Sequence, residues 1–581
     1  VGSLVTKLAA ATSANKRDDI ALFTTDGKAP KWALRGNISR WKVSALRLPG
    51  ATEEYAIVFH DFNICESTYD HIHRIAKGGG DWKLGEEIPE TESFGFRIRD
   101  HKLVVNIDPK TKSLTAKDKL SFERVEGNAK VCIMRLSSDM SIDKATLGGK
   151  PAVIETVPGV IAFSAPAGKK FTLDVDYHGT VSHPGSDYIN DKEAVLTSYF
   201  YPHIGRLPAT HTTTTTVPKG WTVVAQGEQT AHTETSDTVT TTFRMDVPNC
   251  YFTLDAAPYV ITKRVVDGRT LSAYFLKDRP EAAKKVIDDL AASIKFFEAR
   301  FGKYPFSHYE AVETAGPFGG ALEAYSFSTY GPGMFGAVAH EVAHTWFGGI
   351  VPNTYTGSMW NESFASWADE MMQRTVAGKQ SPALKNARGS DATGARLRRG
   401  YAVPINEARN TMSGSEGAVG YGKGAQVLSM LEDILGNEKM IQCAKRFVDD
   451  RPKGEKVEWS HFAKAVKDVT GEDYGWFFEQ WLERGGVPLL GFDKAEVIAE
   501  SDGFTVDGIV SQDSPAYKLK LTIRVVSEDG TKADMTVDPA GAAQPFRIKV
   551  KSKPVSMEID PDGNLLLAAK DGQTLKKDLK K

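Results

Sequence analysis

The sequence predicts a multidomain α+β protein: a small N-terminal α+β module, a β-rich domain, a mainly helical domain and a C-terminal β-sandwich. Three observations carry this expectation. The chain has 581 residues, too many for one compact core. Its apolar pattern alternates with period two as far as about Tyr259 and turns helical near Pro280. After Pro488 the strand pattern returns.

The first 85 or so residues open with a short helical stretch around Leu4–Ala14, followed by strand-like runs such as Ala56-Ile-Val-Phe and Trp82-Lys-Leu. Turns such as Lys77-Gly-Gly-Gly separate them, and residues 1–90 form a module of unassigned role. Residues 91–265 make the β-rich domain, with alternating runs at Leu103-Val-Val-Asn-Ile, Phe171–Tyr177 and Thr238–Phe243. The Thr212–Thr216 tract is expected to be a solvated strand face, since Thr favours strands. Residues 266–489 carry helical spacing at Ala282–Phe301, Met334–Phe347, Ser363–Val376, Gly424–Leu435, Ile441–Val448 and His461–Val469. Residues 490–581 hold strand-like runs at Phe504-Thr-Val, Tyr517–Val526, Phe546–Val550 and Val555–Ile559, then a Lys-rich tail expected to fray. No internal repeat is evident.

Bulk properties exclude several partners. With 72 basic and 74 acidic side chains the net charge is -2, so nothing favours nucleic acid or an anionic membrane. No run approaches the roughly 18 apolar residues of an integral membrane segment. The cysteines Cys65, Cys132, Cys250 and Cys443 are scattered without a C-x-x-C pair and are expected to be free and buried. The chain begins at Val1. A soluble protein is expected, secreted or periplasmic if a signal peptide has been removed, with location otherwise open.

The chemistry concentrates in Ala339-His-Glu-Val-Ala-His-Thr-Trp-Phe-Gly. On a helix His340 and His344 lie one turn apart on one face, where two imidazoles can share a zinc ion. Glu341, about 100° round the helix, then sits beside the open coordination position and can take a proton from a metal-bound water. The flanking Val338, Ala339, Val342, Ala343, Trp346 and Phe347 make this helix apolar nearly all round. Two buried histidines and a glutamate need partners, and a metal pairs all three. A third protein ligand is found in Trp360-Asn-Glu-Ser-Phe-Ala-Ser-Trp-Ala-Asp-Glu. Glu362 is that ligand, with Asn361 as the helix N-cap. Asp369, seven residues on, returns to the same face and either accepts a hydrogen bond from a ligand histidine or is an exposed acid.

Together these blocks resemble the M1 family of zinc aminopeptidases (gluzincins). The resemblance runs from about residue 95 onward and rests on Tyr304-Pro-Phe, Gly319-Gly-Ala-Leu-Glu-Ala, His340–Phe347, Trp360-Asn-Glu, Tyr421-Gly-Lys-Gly and Phe477-Phe-Glu-Gln-Trp-Leu-Glu-Arg-Gly-Gly-Val-Pro, in the family's order. It implies a thermolysin-like catalytic domain, one Zn2+ per chain, and peptide substrates with a free N-terminus. It also implies that Glu323, in the G-A-M-E-N-like block, binds the substrate amine and that Tyr421 donates to the tetrahedral oxyanion. Read from its residues alone, Glu323 is an acid in a Gly-rich segment and Tyr421 an aromatic beside glycines.

The chain departs from the family pattern at several points. Seventeen residues rather than 18 separate His344 from Glu362, with Val351–Met359 as the expected place of the deletion. Ala324 stands where the family has asparagine, Gly422 where glutamate is common, and Leu196-Thr-Ser-Tyr-Phe offers no counterpart of the amine-contacting glutamine. The large C-terminal helical domain of longer members has no counterpart in these 581 residues, and a more open cleft is expected. A zinc endopeptidase or peptidase of relaxed selectivity, and a weakly active zinc-bearing binding or scaffold protein, are therefore the alternatives to an aminopeptidase. Three lesser features have ordinary readings. His71 and His73 belong to a solvated strand, Arg396-Leu-Arg-Arg to a solvated helix face, and Gly420–Gly424 lacks the strand and third glycine of a nucleotide loop. No G-x-S-x-G elbow or Walker A loop occurs.

Overall fold

The structure is a computed structural model. It describes Thr6, Leu8, Ile20–Phe23, Trp32–Arg35, Trp41–Arg47, Tyr55–Asp61, His71–Gly78 and Asp81–Ile88 in the first 94 residues. From there it describes 95–579, apart from 126, 128, 183–186, 198–199, 317, 354–357, 378–402, 409–416, 452–454 and 456. The Arg396–Arg399 cluster and Cys65 lie outside the described residues. Contacts divide the chain into two units: Val1–Asn361 with Arg409–Gly414 and Ala444–His461, and Glu362–Ala408 with Ser415–Cys443 and Phe462–Lys581. Among the described residues no helix is long and apolar enough to cross a membrane.

In the first unit the N-terminal segment is an antiparallel meander of Trp41–Arg47, Tyr55–Asp61, His71–Gly78 and Asp81–Ile88. Of the expected Leu4–Ala14 helix only Thr6 and Leu8 are described, both helical. An eight-stranded sheet follows, in the order Lys150–Pro151, Met140–Leu147, Lys170–Thr180, Ser113–Arg124, Phe96–Asp108, Ala209–Pro218, Thr238–Asn249, Glu228–Glu234. Alternate residues such as Leu103, Val105, Leu120, Phe122, Leu173 and Val175 pack into one core, as the period of two requires. The Thr212–Thr216 tract is a strand with a solvated face, as expected, and its other face is buried. In Ala209–Pro218 the face of Thr213 and Thr215 is buried beside Ala209 and Val217, while Thr212, Thr214 and Thr216 are half-exposed; Thr214 and Thr216 pair with Thr242 and Thr240 across the strand gap, and Thr212 accepts from Arg244. Only one face of the tract meets solvent. Cys132, Cys250 and Cys443 are free and buried, as expected.

A five-stranded sheet comes next, in the order Val260–Val266, Arg269–Phe275, His308–Glu313, Phe327–Tyr330, Ala321–Glu323. Its last three strands fall in a stretch read as mainly helical. They are three to six residues long and interrupted by Gly-rich turns, too short to show a period. Helix α1 (Pro280–Phe301) packs Ala283, Val286, Ile287, Leu290, Ile294, Phe297 and Phe301 inward at three- and four-residue spacing. It starts with Pro in its first turn and stops at Gly302, φ +107°.

The expected Met334–Phe347 helix is shorter than its apolar pattern. A 3₁₀ turn, Met334–Ala337, leads into α2 (Val338–Ala343), and His344 is already its C-cap. The backbone then tightens through Thr345 N–H to Val342 O and Trp346 N–H to Ala343 O, and Gly348 at φ +125° turns the chain away. Helix α3 is Trp360–Ala377. Asn361 therefore lies inside its first turn, not at the N-cap. Its Oδ1 accepts a hydrogen bond from Asn353 Nδ2 at 2.6 Å instead of capping the helix.

Further helices are α4 (Gly424–Leu435), α5 (Asn437–Asp449), α6 (Trp459–Thr470) and α7 (Gly475–Leu482). In the second unit Glu432 of α4 accepts from Trp367 Nε1 at 2.8 Å and pairs with Arg374 at 2.9 Å. Two four-stranded sheets complete it. One has the order Ala543–Val550, Gly503–Gln512, Leu489–Glu500, Ala568–Ala569; the other Lys532–Val537, Leu521–Ser527, Pro554–Ile559, Lys576–Asp578. The Lys-rich tail is thus paired as far as Asp578, against Ser556–Glu558. Leu579 N–H bonds to Val555 O and its side chain is buried, which holds the tail down.

Candidate metal centre and active site

Helix α2 brings His340 and His344 together as their spacing requires. The ring centroids are 4.8 Å apart and the two Nε2 atoms face each other at 3.1 Å. Two nitrogens on one tetrahedral zinc, bound at 2.0–2.1 Å, sit about 3.3 Å apart, so the pair already has a shared-ligand geometry. His344 is buried, and its Nδ1–H donates to the Phe347 carbonyl at 3.0 Å. That bond fixes the ring and turns its Nε2 lone pair toward His340. It exists because the helix stops at His344 and the chain doubles back.

Glu362 is the third residue of α3 and buried. The residues before it are tied down: Trp360 Nε1 donates to Val457 O at 2.8 Å, its ring packs on Phe447, and Asn353 holds Asn361. Ligand atoms of His340, His344 and Glu362 all lie within 4.8 Å of one another, and so do those of Glu323, Glu341 and His344. Two imidazoles and a carboxylate, mostly buried, are a donor set that suits zinc. His340, Glu362, Glu323 and Glu341, all singled out from the sequence, therefore gather around His344.

Glu341 is 4% exposed and Glu323 3%. Glu323 ends the edge strand Ala321–Glu323, and its Oε1 is 3.9 Å from His344 Nδ1. Tyr309 and Tyr330 lie close by. Burial, then the Glu341 and Glu323 carboxylates against a Ser328 hydrogen bond, holds the Tyr309 phenol protonated well above its ordinary range. Burial with Tyr309 and Glu341 does the same for Tyr330.

Tyr421 lies in a π-helical turn, Ala418–Lys423, and is 41% exposed. Such turns widen the helix and release carbonyls from the i→i−4 ladder. Here the Gly420 carbonyl accepts from Ser363 Oγ at 2.7 Å, beside Glu362 in sequence. Burial pulls the Lys423 amine down to about 8, and it donates to Arg484 O at 2.8 Å. Asp369 is half-buried and accepts from Gln373 one turn on. For His344 the second-nitrogen partner is the Phe347 carbonyl, not Asp369. His71 and His73 are in strand His71–Gly78, with side chains outside the described set.

Sequence reasoning missed Phe347, Ser363, Tyr251 and Thr345. The Tyr251 hydroxyl donates to the Glu323 carbonyl at 2.7 Å across 72 residues, and Thr345 Oγ1 donates to the Tyr325 carbonyl at 2.9 Å. Tyr251 belongs to no local motif, and Thr345, though inside the His340–Phe347 block, has a partner 20 residues away that no sequence signal indicates.

Residues 287–481 match the model described as the peptidase family M1 domain. Tricorn protease-interacting factor F2 of Thermoplasma acidophilum is 24% identical over 502 residues, covering 78% of this chain and 61% of that protein. Aminopeptidase N of Streptomyces lividans is 24% identical over 361 residues, covering 56% of this chain and 40% of that one. In fold, Legionella pneumophila aminopeptidase A, solved in complex with aspartic acid, aligns with a TM-score of 0.69 at 14% identity, over 82% of this chain and 60% of that chain. The chain thus spans less than two thirds of the length of these proteins.

Proposed function

We propose, from the match of residues 287–481 to the peptidase family M1 domain, that this chain is a zinc-dependent aminopeptidase that removes the N-terminal residue of peptides. The observation that carries the reading is the convergence of His340, His344 and Glu362 on one point while Glu323 and Glu341 gather on the same His344. The four modules 1–90, 91–265, 266–489 and 490–581 belong to this reading, with a thermolysin-like catalytic domain and the last two sheets as a β-sandwich.

His340, His344 and Glu362 would hold one zinc ion per chain, with Asp369 available to the second nitrogen of His340. Bound there, zinc supplies a Lewis acid that acidifies water and polarises the scissile carbonyl. Glu341 accepts the proton of the attacking water and hands it to the departing amine. The Tyr421 phenol donates to the oxyanion. Glu323 pairs with the substrate ammonium in a mostly dry site, where a charge pair discriminates strongly. That pairing limits cleavage to the first peptide bond.

The test uses aminoacyl chromogenic amides, their N-acetylated versions and a Glu341→Gln control. Cleavage confined to free-amine substrates, falling ~10²–10⁴-fold in the control as loss of a general base does, is the expected result. Equal cleavage of blocked substrates would replace the reading with an endopeptidase. Silence from protein holding one zinc per chain would replace it with a scaffold.

A further inference from the structure

Glu323 ends its strand at a turn that is under constraint. Ala324 N–H bonds to Phe327 O at 2.9 Å and Ser326 N–H to Ala324 O at 2.8 Å. Between them Tyr325 has φ +67°, the left-handed region that a bulky aromatic residue rarely enters. Ala324 has no side-chain amide with which to brace the turn. Residues from three other segments brace it instead.

The Tyr251 hydroxyl donates to the Glu323 carbonyl at 2.7 Å, and the Arg206 guanidinium lies over the Tyr251 ring, 5.1 Å from its centre. Thr345 Oγ1 donates to the Tyr325 carbonyl at 2.9 Å. Gly349 leaves room for the Tyr325 ring, since a Cβ there would lie 2.8 Å from it. Ser326 Oγ accepts from Gly227 N–H at 2.9 Å. Thr345 directly follows His344, so the segment that presents the metal-facing imidazole also grips the turn that presents Glu323. The 3.9 Å between Glu323 Oε1 and His344 Nδ1 is set through that grip.

We propose that Tyr251 and Thr345 are positioning residues for free-amine selection, locking the Glu323–Tyr325 turn onto the metal-bearing segment so that one carboxylate meets the substrate ammonium at a fixed distance. This rests on the reading of Glu323 as the amine anchor. A hydroxyl lost from either residue frees the turn to relax from its strained conformation, and Glu323 moves with it. The loss falls on substrates that carry the amine, because blocked substrates never use Glu323.

The experiment compares kcat/KM on free and N-acetylated aminoacyl amides for wild type, Tyr251→Phe, Thr345→Val, Thr345→Ser and Glu323→Gln. Zinc content and the thermal midpoint are measured on each protein. Tyr251→Phe and Thr345→Val are expected to cut the free-over-blocked preference about tenfold, mainly through KM, with zinc retained and Thr345→Ser restoring the preference. Should Thr345→Val fail to fold, Tyr251→Phe carries the test alone, since it deletes one hydroxyl and leaves the ring. A preference that collapses in Glu323→Gln yet stays at wild-type level in both hydroxyl deletions would overturn the proposal and leave the anchor standing. Equal losses on free and blocked substrates would mark a merely structural role and overturn it too. A preference untouched by Glu323→Gln would remove the anchor itself and the proposal with it.

Discussion

Gly349→Ala puts a single methyl group where the site has no room for one. The new Cβ would lie 2.7 Å from the Thr345 carbonyl oxygen and 2.8 and 2.9 Å from two ring carbons of Tyr325. Neither neighbour can step aside cheaply. The Thr345 oxygen already accepts Ile350 N–H at 2.8 Å, and the Tyr325 ring is fully buried. Overpacking of a filled interior costs ~1–3 kcal/mol, and with a backbone atom and an aromatic ring both pinned the upper end applies. Gly319→Ala is the matched control, for a Cβ there meets nothing within 4 Å and surface changes of that kind stay within about 0.5 kcal/mol. Denaturant midpoints of the two variants and wild type, all zinc-loaded, measure the difference. Gly349→Ala should lose stability while Gly319→Ala does not, and the surviving enzyme should show weakened preference for free-amine substrates as the turn holding Tyr325 is displaced. Equal midpoints for the two variants would refute the close packing at Gly349 on which the reasoning rests.

Ser363→Ala leaves the buried Gly420 carbonyl without its donor, costing ~1–2 kcal/mol. It should lower kcat several-fold through the turn that carries Tyr421, with zinc content unchanged; an unaltered kcat would detach Ser363 from Tyr421. Asp255 gives a pH test. Burial raises its carboxyl to about 8, against a Thr329 hydrogen bond and with help from Glu193. The folded protein therefore keeps a proton between pH ~4 and about 8 that the unfolded chain releases, and stability falls as pH rises through that window, by up to ~1.4 kcal/mol per pH unit. Asp255→Asn carries no such proton, so its thermal midpoint should gain on wild type from pH 5 to 7.5. A gap that stays constant would mean that Asp255 is ionised in the fold.

The sequence by itself determined the elements whose signal is local. His340 and His344 were legible because four residues make one helical turn, and that geometry needs no tertiary context. Helix α1 and the alternating strands of the large sheet were legible for the same reason: a single burying face writes its period into the chain. The roles proposed for Glu323 and Tyr421 came from the likeness of several blocks to a known family, not from their own surroundings.

Tertiary structure decided what depends on partners far along the chain. The apolar pattern through Phe347 suggested a continuous helix, yet the helix ends at Ala343, Gly348 then turns the chain away, and only the fold shows the Phe347 carbonyl meeting His344 Nδ1. Thr213 and Thr215 are buried because they share the face of their strand with Ala209 and Val217, which pack into the core. The Lys-rich tail forms a strand because Ser556–Glu558 offers it an edge. Tyr251 reaches Glu323 across 72 residues, and Ser363 reaches Gly420 across 57. A hydroxyl has no periodicity and no preferred neighbour in sequence, so its hydrogen-bond partner is settled only when packing brings a distant carbonyl within reach.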